Sequence, residues 1–572
     1  MKTPAPSGSL TGAGEPTSLH QALRSLTEPG ARLEIGRDDR GRRNFVKRAP
    51  SVIELVASAA RAGDRDFLVQ GDQRMSFAEF ADTVWGTAQR LIDEGLRAGD
   101  RLAIMAPNSI EWVVTVFAAA AAGAVPAACN TSWTQDELSY AIGDCGARFL
   151  VVDGEWAAEA TALLAGESTV ERIYVSGSER QPPRQAQSLR TIIERAESRP
   201  DVAIAESDPF VIIYTSGTTG RSKGCVTTHE GTVAQVNSMV LSSVLAKATS
   251  SRTDKPAVGD HALLATSPLF HVSGLHSGIC SSLATRSKVV FLRGKFDPLE
   301  VLALIEAEKI TAWGGVPTMI HRVLTCDRFD DFDISSLRSL SIGGAPLRPA
   351  TLELAQRVFG EKLNMGHGYG MTETHGSITM NAGRALAERP GSVGLPGPLV
   401  DLQVVDDSNS VVAEGVSGEI LVRGVTVTPG YWGDQVATAA AIRDGWLHTG
   451  DVGAIDERGY LYLQDRAKDL IIRGGENIGS VEIEHCLSDH PAVAEAAVFG
   501  VPDDDLGERI GAVVVLVPDA EITTADLIAF VASTLGRIKA PEWMRIVDDP
   551  LPRNILGKVL KPQLRQMVAA MQ

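Results

Sequence analysis

Disulfide and metal chemistry have little to work with in this chain. Its six cysteines (Cys129, Cys145, Cys225, Cys280, Cys326 and Cys486) are scattered over 572 residues with no CxxC spacing. That leaves no zinc site or disulfide framework and suits thiols in a reducing compartment. An excess of positive charge is missing too, the formal net charge being -17. Nucleic acids and anionic membranes are themselves negative, so a general binder of either is excluded, although a local basic pocket is not. The opening MKTPAPSGSLTGAGEPTS has no apolar stretch of the kind a signal peptide needs. Residues 1–45 therefore read as a flexible leader. One run, WVVTVFAAAAAGAVPAAC at 112–129, has about the length of a membrane span. Gly123 and Pro126 interrupt it, alanine outweighs leucine, and Asn108-Ser109 ahead of Glu111 is a helix start. It is expected to be a buried helix turning into a buried strand, so the chain is read as cytoplasmic, with no integral membrane segment. There is no internal repeat.

What is present is an ordinary globular composition, 44% hydrophobic and 22% charged, in a chain too long for one core. From about residue 50 to 400, short β-rich runs (102–105, 149–152, 288–292, 339–342) alternate with helical patterns such as 298–309. That alternation predicts layered α/β subdomains with largely parallel, buried strands. Near residue 400 the texture changes to closely spaced strands with glycine turns (401–405, 418–424, 428–432), a small β-rich subdomain. A charged run at 465–469 marks a boundary. Beyond it the pattern is helix 480–487, strand 493–498, strand 511–517 and helix 524–535, a small α+β domain. The expected division is a leader (1–45), a large N-terminal domain (46–465) and a small, mobile C-terminal domain (466–572).

The most telling stretch is Thr215-Ser216-Gly217-Thr218-Thr219-Gly220-Arg221-Ser222-Lys223-Gly224. It holds three glycines, two cations and otherwise only hydroxyl residues, and it follows the apolar run at 210–214. Glycines let backbone N–H groups approach an anion, hydroxyls donate further bonds, and Arg221 and Lys223 supply charge. The spacing is not that of a Walker A loop, which has four residues between its first Gly and a Gly-Lys pair followed by Ser or Thr. The loop therefore points to nucleotide phosphates but away from P-loop hydrolases.

This decapeptide resembles the signature loop of the adenylate-forming enzymes, which include acyl- and aryl-CoA synthetases, adenylation domains of peptide synthetases and beetle luciferases. Further motifs follow in the same order over roughly residues 50–565. The resemblance implies that Thr215, Ser216, Gly217, Thr218, Thr219, Gly220 and Lys223 bind the phosphates of ATP. It places Gly344, Ala345 and Pro346 against adenine. Gly368-Tyr369-Gly370-Met371-Thr372-Glu373 would supply a ring for the purine (Tyr369), a hydroxyl for the α-phosphate (Thr372) and a ligand for Mg²⁺ (Glu373). Asp451 in Thr449-Gly450-Asp451, a common turn sequence on its own, matches the ribose-binding Asp, and Arg466 the ribose- and phosphate-contacting Arg. Lys468 matches the hinge. Lys558, after Pro552-Arg553 and Gly557, matches the adenylation lysine. Lys558, Lys223, Thr372 and Glu373 are the catalytic set. His271, Val272, Trp313, Gly314, Gly315, His367 and Gly368 would shape the acyl pocket, and Arg473, Gly474, Gly475 and Glu476 the tunnel for CoA. Two departures stand out. His367 occupies a position usually Gln or Asn, and the Ser-Pro common before Glu-Ile-Glu is here Gly479-Ser480. His375 has no assigned role.

The implied reaction joins a carboxylic acid to CoA at the expense of ATP, with Mg²⁺ present, by way of an acyl-adenylate. The alternative is a stand-alone adenylation enzyme that loads a carrier-protein thiol. A luciferase-like oxygenase and a non-catalytic AMP sensor are weaker readings; intact Lys223, Glu373, Asp451 and Lys558 argue against the sensor. Aryl, medium-chain, polycyclic and carnitine-like acids all stay open. Homodimers are common among the proteins resembled.

Overall fold

Two buried parallel sheets dominate the computed structural model, which describes residues 17–163, 168–177, 182–215, 221–249, 261–344, 347, 349–360, 363–466, 469–474, 476–503, 505–553 and 558–569. Among these residues the first sheet has seven strands. Strands Arg101–Met105, Val125–Ala128, Phe149–Asp153 and Arg172–Ser176 pair in parallel, and Pro209–Thr215 joins beside Val125–Ala128. Its antiparallel edge is Lys223–Thr228. The second sheet has nine strands, centred on the parallel set Ser339–Ile342, Ala312–Gly315, Ala262–Ala265 and Lys288–Phe291. Strand Asn364–Met371 lies next to Ser339–Ile342 and turns back as Gly376–Ala382.

The apolar run at 112–129 resolves as expected. Helix Ile110–Ala121 starts at Ser109, whose hydroxyl accepts from the Trp112 N–H at 3.1 Å, and every residue of it except Glu111 is buried. It packs on helix Phe77–Asp93, and its side chains share one core with Phe80 of that helix and with residues of both sheets, including Phe67, Leu102, Phe149 and Phe210. Apolar on every side, this helix is suited to a two-sided interior rather than a surface. Among the described residues no helix is long and apolar enough to cross a membrane. The six cysteines are all free, and five are buried.

The β-rich subdomain is a meander of Val400–Val405, Gly418–Gly424 and Trp446–Ile455, with Leu461–Arg466 on the last. The expected strand at 428–432 is not one of them. That segment crosses to the first sheet instead and docks along its edge through one bridge, Cys225 to Tyr431, and backbone hydrogen bonds described below. The last domain carries an antiparallel pair, Val493–Asp503 with Gly507–Leu516, joined by Trp543–Val547 in parallel. Helices Ser480–Ser488 and Thr524–Leu535 pack together over Ile483, Leu487, Leu527 and Val531.

The leader expected over 1–45 is structured from Thr17 onward. Helix Thr17–Thr27 and a hairpin of Ile35–Arg37 and Arg43–Phe45 bury Leu33 and Phe45 against Leu241, Leu399 and Val425. Leu23, Leu26, Leu33, Ile35 and Phe45 supply the apolar face that a flexible leader would lack.

Candidate active site

The phosphate loop is a hairpin between antiparallel strands. Thr215 and Lys223 are register partners, and the Thr215 hydroxyl donates to the Lys223 carbonyl at 3.4 Å. Residues 216–220, predicted to touch phosphate, lie outside the described set, as do Ala345 and Pro346. Gly344, just past strand Ser339–Ile342, has φ +78, a conformation that strains any other residue. The Arg221 guanidinium lies over the Tyr140 ring, 4.9 Å from its centroid.

Strand Asn364–Met371 reverses through a single tight turn, Thr372–Thr374, into Gly376–Ala382. The two arms approach so closely that a Cβ at Gly370 would stand 2.2 Å from the Gly376 carbonyl oxygen, and one at Gly368 2.6 Å from that of Thr379. Glycine here is a demand of the hairpin itself. Between these glycines Tyr369 is buried, and its hydroxyl donates to Asp451 Oδ2 at 2.6 Å. Burial and the Asp451 carboxylate hold that phenol well above the usual tyrosine range, so it stays a donor.

Asp451 was expected on a turn. It sits instead inside strand Trp446–Ile455, just after Gly450 at φ +67. Its partner in register is Arg466, the last residue of the neighbouring strand, with Arg466 Nε 3.3 Å from Asp451 Oδ1. The fifteen-residue interval between them in sequence is thus the length of one hairpin.

Glu373 is buried and held twice by one segment. The Thr428 N–H donates to its carbonyl at 2.7 Å, and the Tyr431 hydroxyl donates to Oε1 at 2.8 Å. Among the described residues no Lys or Arg pairs with it, and Oε2 accepts no hydrogen bond. A buried carboxylate with one oxygen open and no cation beside it fits a hard divalent ion. Lys223 Nζ lies over the ring of the same Tyr431, 5.1 Å from its centroid. Tyr431 carries no motif that could have singled it out. Its segment is fastened to the first sheet: Val226 N–H donates to the Gly430 carbonyl at 3.0 Å, and Trp432 N–H to that of Gly224 at 2.7 Å.

His375 now has a structural role. It takes a left-handed conformation (φ +57) directly after the turn that carries Glu373. Its Nε2 accepts from the Thr228 N–H at 2.8 Å and its Nδ1 faces the Thr426 carbonyl at 2.7 Å. It therefore staples the turn to both the first sheet and the 426–432 segment. His276 donates from Nδ1 to the His375 carbonyl at 3.0 Å.

The acyl-pocket residues divide. Trp313 is in the core with Leu264, Ile320 and Leu340, and its indole N–H donates to Thr266 Oγ1 at 3.1 Å. Trp313 and Gly314 are successive residues of strand Ala312–Gly315, so they face opposite sides of the sheet. Gly314 faces Ser341, and Gly315 faces Met319 and Ile320. His271 precedes helix Ser273–Cys280, rests on Phe270 with centroids 4.7 Å apart, and buries an Nε2 that has no partner among the described residues. Burial pushes its pKa down to about 4, so the ring is neutral near pH 7. His367 is buried, donates from Nδ1 to the Ile342 carbonyl at 3.0 Å, and is likewise lowered by burial. Val272 is half-buried beside His271.

In the small domain, Arg473 commits its guanidinium to Glu542, which removes it as a free cation for CoA in this arrangement. Gly474 turns at φ +58 with its N–H on the Leu506 carbonyl, and Glu476 is the register partner of Arg473. Gly475 and Lys468 lie outside the described residues. Lys558 stands next to a bridge between Arg553 and Val559, on the face of the domain that buries Phe499, Leu551 and Leu564.

Residues 55–432 match the model of the family described as AMP-binding enzyme, and residues 482–558 that of the AMP-binding enzyme C-terminal domain. The chain belongs to the AMP-binding enzyme family. This family member is 35% identical to a feruloyl-CoA synthase of Amycolatopsis over 497 residues, 87% of this chain and 94% of that one. It is 36% identical to a 3-[(3aS,4S,7aS)-7a-methyl-1,5-dioxo-octahydro-1H-inden-4-yl]propanoyl:CoA ligase of Mycobacterium tuberculosis, over 92% of this chain and 99% of the relative. Among solved structures it is similar to ATP-bound MatB from Rhodopseudomonas palustris, with TM-score 0.80 and 31% identity over 91% of this chain and 99% of that one. It is also similar to O-succinylbenzoate coenzyme A synthetase from Bacillus subtilis in complex with ATP and magnesium ion. There the TM-score is 0.76 at 29% identity, over 89% of this chain and 99% of that one.

Proposed function

We propose that the protein is an ATP-dependent acyl-CoA synthetase that activates a ring-bearing carboxylic acid as its acyl-adenylate and passes the acyl group to CoA. The observation that carries the adenylation step is the convergence on one edge of the first sheet. Lys223 leaves the phosphate hairpin there, Glu373 lies one tyrosine away, and Asp451 joins through Tyr369 of the Glu373 hairpin.

A carboxylate is a poor acyl donor because its leaving group would be oxide. Attack of the acid's oxygen on the α-phosphorus of ATP forms the mixed anhydride and expels pyrophosphate. Both partners are anions, so alignment and charge neutralisation are what the protein has to supply. Asp451 accepts the ribose hydroxyls, and Arg466 beside it fixes that carboxylate. The hairpin at 215–224, with Lys223, holds the β- and γ-phosphates. Glu373 would hold Mg²⁺ through its open oxygen; bound there, the ion neutralises phosphate charge. Thr372 meets the α-phosphate and Lys558 reaches the reacting oxygens. No general base is needed, since the acid is already ionised. A thiol then attacks the carbonyl and AMP leaves. The second half-reaction requires Lys558 out of the way, which a small domain turning about Lys468 provides.

The ring-bearing acid is supported by two features. His271 Nε2 is buried and has no hydrogen-bond partner among the described residues, a site that favours a polar group on the substrate. Relatives named for feruloyl, dioxo-octahydroindenyl-propanoyl and indoleacetate substrates all act on ring-bearing acids. Pyrophosphate release over a panel of ferulic, indoleacetic, polycyclic propanoic and medium- and long-chain fatty acids, with and without CoA, tests the reading. Acyl-CoA and AMP in equal amounts from at least one ring-bearing acid are expected. Exchange with no acid, or transfer only to a carrier-protein thiol, overturns it.

A further inference from the structure

Tyr431 stands between two groups of opposite charge that have separate duties. Its hydroxyl donates to Glu373 Oε1 at 2.8 Å, and its ring face carries the Lys223 ammonium 5.1 Å from the centroid. Lys223 meets the ring and Glu373 the hydroxyl, and among the described residues the two form no ion pair with each other. Were the ring absent, the ammonium would be free to move onto the carboxylate, and each would cancel the other. Tyr431 cannot easily move aside. Its N–H donates to Thr438 Oγ1 at 2.9 Å, it bridges to Cys225, and Thr428 on the same segment holds the Glu373 carbonyl.

We propose that Tyr431 is a positioning residue that keeps Lys223 and Glu373 apart, so that the cation faces phosphate while one carboxylate oxygen stays open for the metal. The proposal rests on the reading of Glu373 as the Mg²⁺ carboxylate. The hydroxyl satisfies Oε1 and orients the carboxylate, a charge-assisted bond. The ring holds Lys223 by cation–π attraction without neutralising it.

Calorimetric titration of ATP, with no acid present, separates the two duties. In Tyr431→Phe the ring stays and the hydroxyl goes. The Mg²⁺ concentration that half-saturates its effect on ATP binding should rise about ten-fold, the order expected for one bond to a charged group. Metal-free ATP affinity should stay within about two-fold, because the phenyl ring keeps the cation–π contact with Lys223. In Tyr431→Leu the metal defect should persist and metal-free ATP affinity should fall about ten-fold, as Lys223 collapses onto Glu373. Adding Glu373→Gln to Tyr431→Leu should restore metal-free affinity, a rescue that a merely structural role would not give. Wild-type metal dependence in Tyr431→Phe overturns the hydroxyl's role. Failure of Glu373→Gln to rescue Tyr431→Leu overturns the spacer role. Binding of ATP indifferent to Mg²⁺ in the unaltered enzyme overturns the carboxylate assignment, and with it the hydroxyl's role. These readouts need no acid, so absence of turnover on the acid panel would sink the proposed function and leave this test intact.

Discussion

Asp451 takes a hydroxyl on one carboxylate oxygen and a guanidinium on the other. Two neighbours from different strands thereby fix both lone-pair directions before any ligand arrives. Preorganisation of this kind lowers the ordering cost of gripping a diol. Asp451→Asn keeps a partner for the Tyr369 hydroxyl but loses the charge facing Arg466. It should raise the KM for ATP about ten-fold, about 1.4 kcal/mol, with little change in the thioester step from supplied acyl-adenylate. Steady-state kinetics of both half-reactions would read this. An equal loss in both would place Asp451 in general stability rather than in ribose binding. Residue roles were the least legible part of the chain. Tyr431 belongs to no recognisable motif, and its importance arises only where Glu373 and Lys223 meet it. Trp313 is placed against the acyl group by the family resemblance alone. Its burial among Leu264, Ile320 and Leu340 depends on which face of the sheet the neighbouring helices cover.

At the scale of elements, the hairpin 364–382 is the critical piece. Its arms touch backbone to backbone at Gly370 and Gly376, and the turn between them carries Thr372 and Glu373. Gly370→Ala would push a methyl to 2.2 Å from a carbonyl oxygen, so the arms must splay. A loss of roughly 2–3 kcal/mol is expected, as for overpacking in general, together with a large drop in pyrophosphate exchange. A variant with wild-type melting temperature and full exchange would refute the strict need for glycine. The elements around the hairpin are joined by buried imidazoles. His229, on the first turn of helix His229–Thr249, accepts the Val52 N–H at 3.3 Å. Burial lowers the pKa of His229 to about 4, against a smaller opposite effect of Asp208, and that of His276 to about 4 also. A histidine lowered in the folded state binds fewer protons folded than unfolded. Its stabilisation is therefore full above about pH 6.5 and is lost as pH falls towards about 4. Each contributes about 1.4 kcal/mol per pH unit across that window. Melting temperature should hold from pH 8 to 7 and then fall steadily to pH 5. His229→Gln and His276→Gln should flatten that slope. An unchanged slope in both would remove these imidazoles as its cause.

At the scale of the whole molecule, the two domains meet through a buried polar relay. Asp465 Oδ2, at the end of the last strand of the β-rich subdomain, accepts from the Ser480 N–H at 2.7 Å and from its hydroxyl at 2.5 Å. Lys561 reaches the Ser480 hydroxyl at 2.5 Å and Glu484 at 2.8 Å. Burial raises the Glu484 pKa, and the Lys561 charge opposes that rise. The relay ties the end of the large domain to the helix that follows Lys558. For function, Lys558→Ala should cost at least a hundred-fold in adenylation, about 3 kcal/mol. It should largely spare thioester formation from supplied acyl-adenylate. Equal loss in both half-reactions, measured separately, would sink that assignment.

Layer order, the helix at 110–121, the strand that leads into the loop after Tyr214 and the small domain's elements were all written in periodicity and turn chemistry. These are local signals: a 3.6-residue or two-residue repeat needs no knowledge of distant chain. The ordered motifs were enough to name the first half-reaction as well. Tertiary structure alone decided that the span 428–432 abandons its own subdomain and runs along the first sheet, because that docking is set by one bridge to Cys225 and backbone hydrogen bonds to Gly224 and Val226, some two hundred residues away. It alone decided that residues 17–45 are structured, since their short apolar face has value only against Leu241, Leu399 and Val425. It alone set Tyr431 between Lys223 and Glu373. A contact between distant residues has no period and leaves no mark in sequence. Its energy appears only when the packed sheets bring both sides within reach.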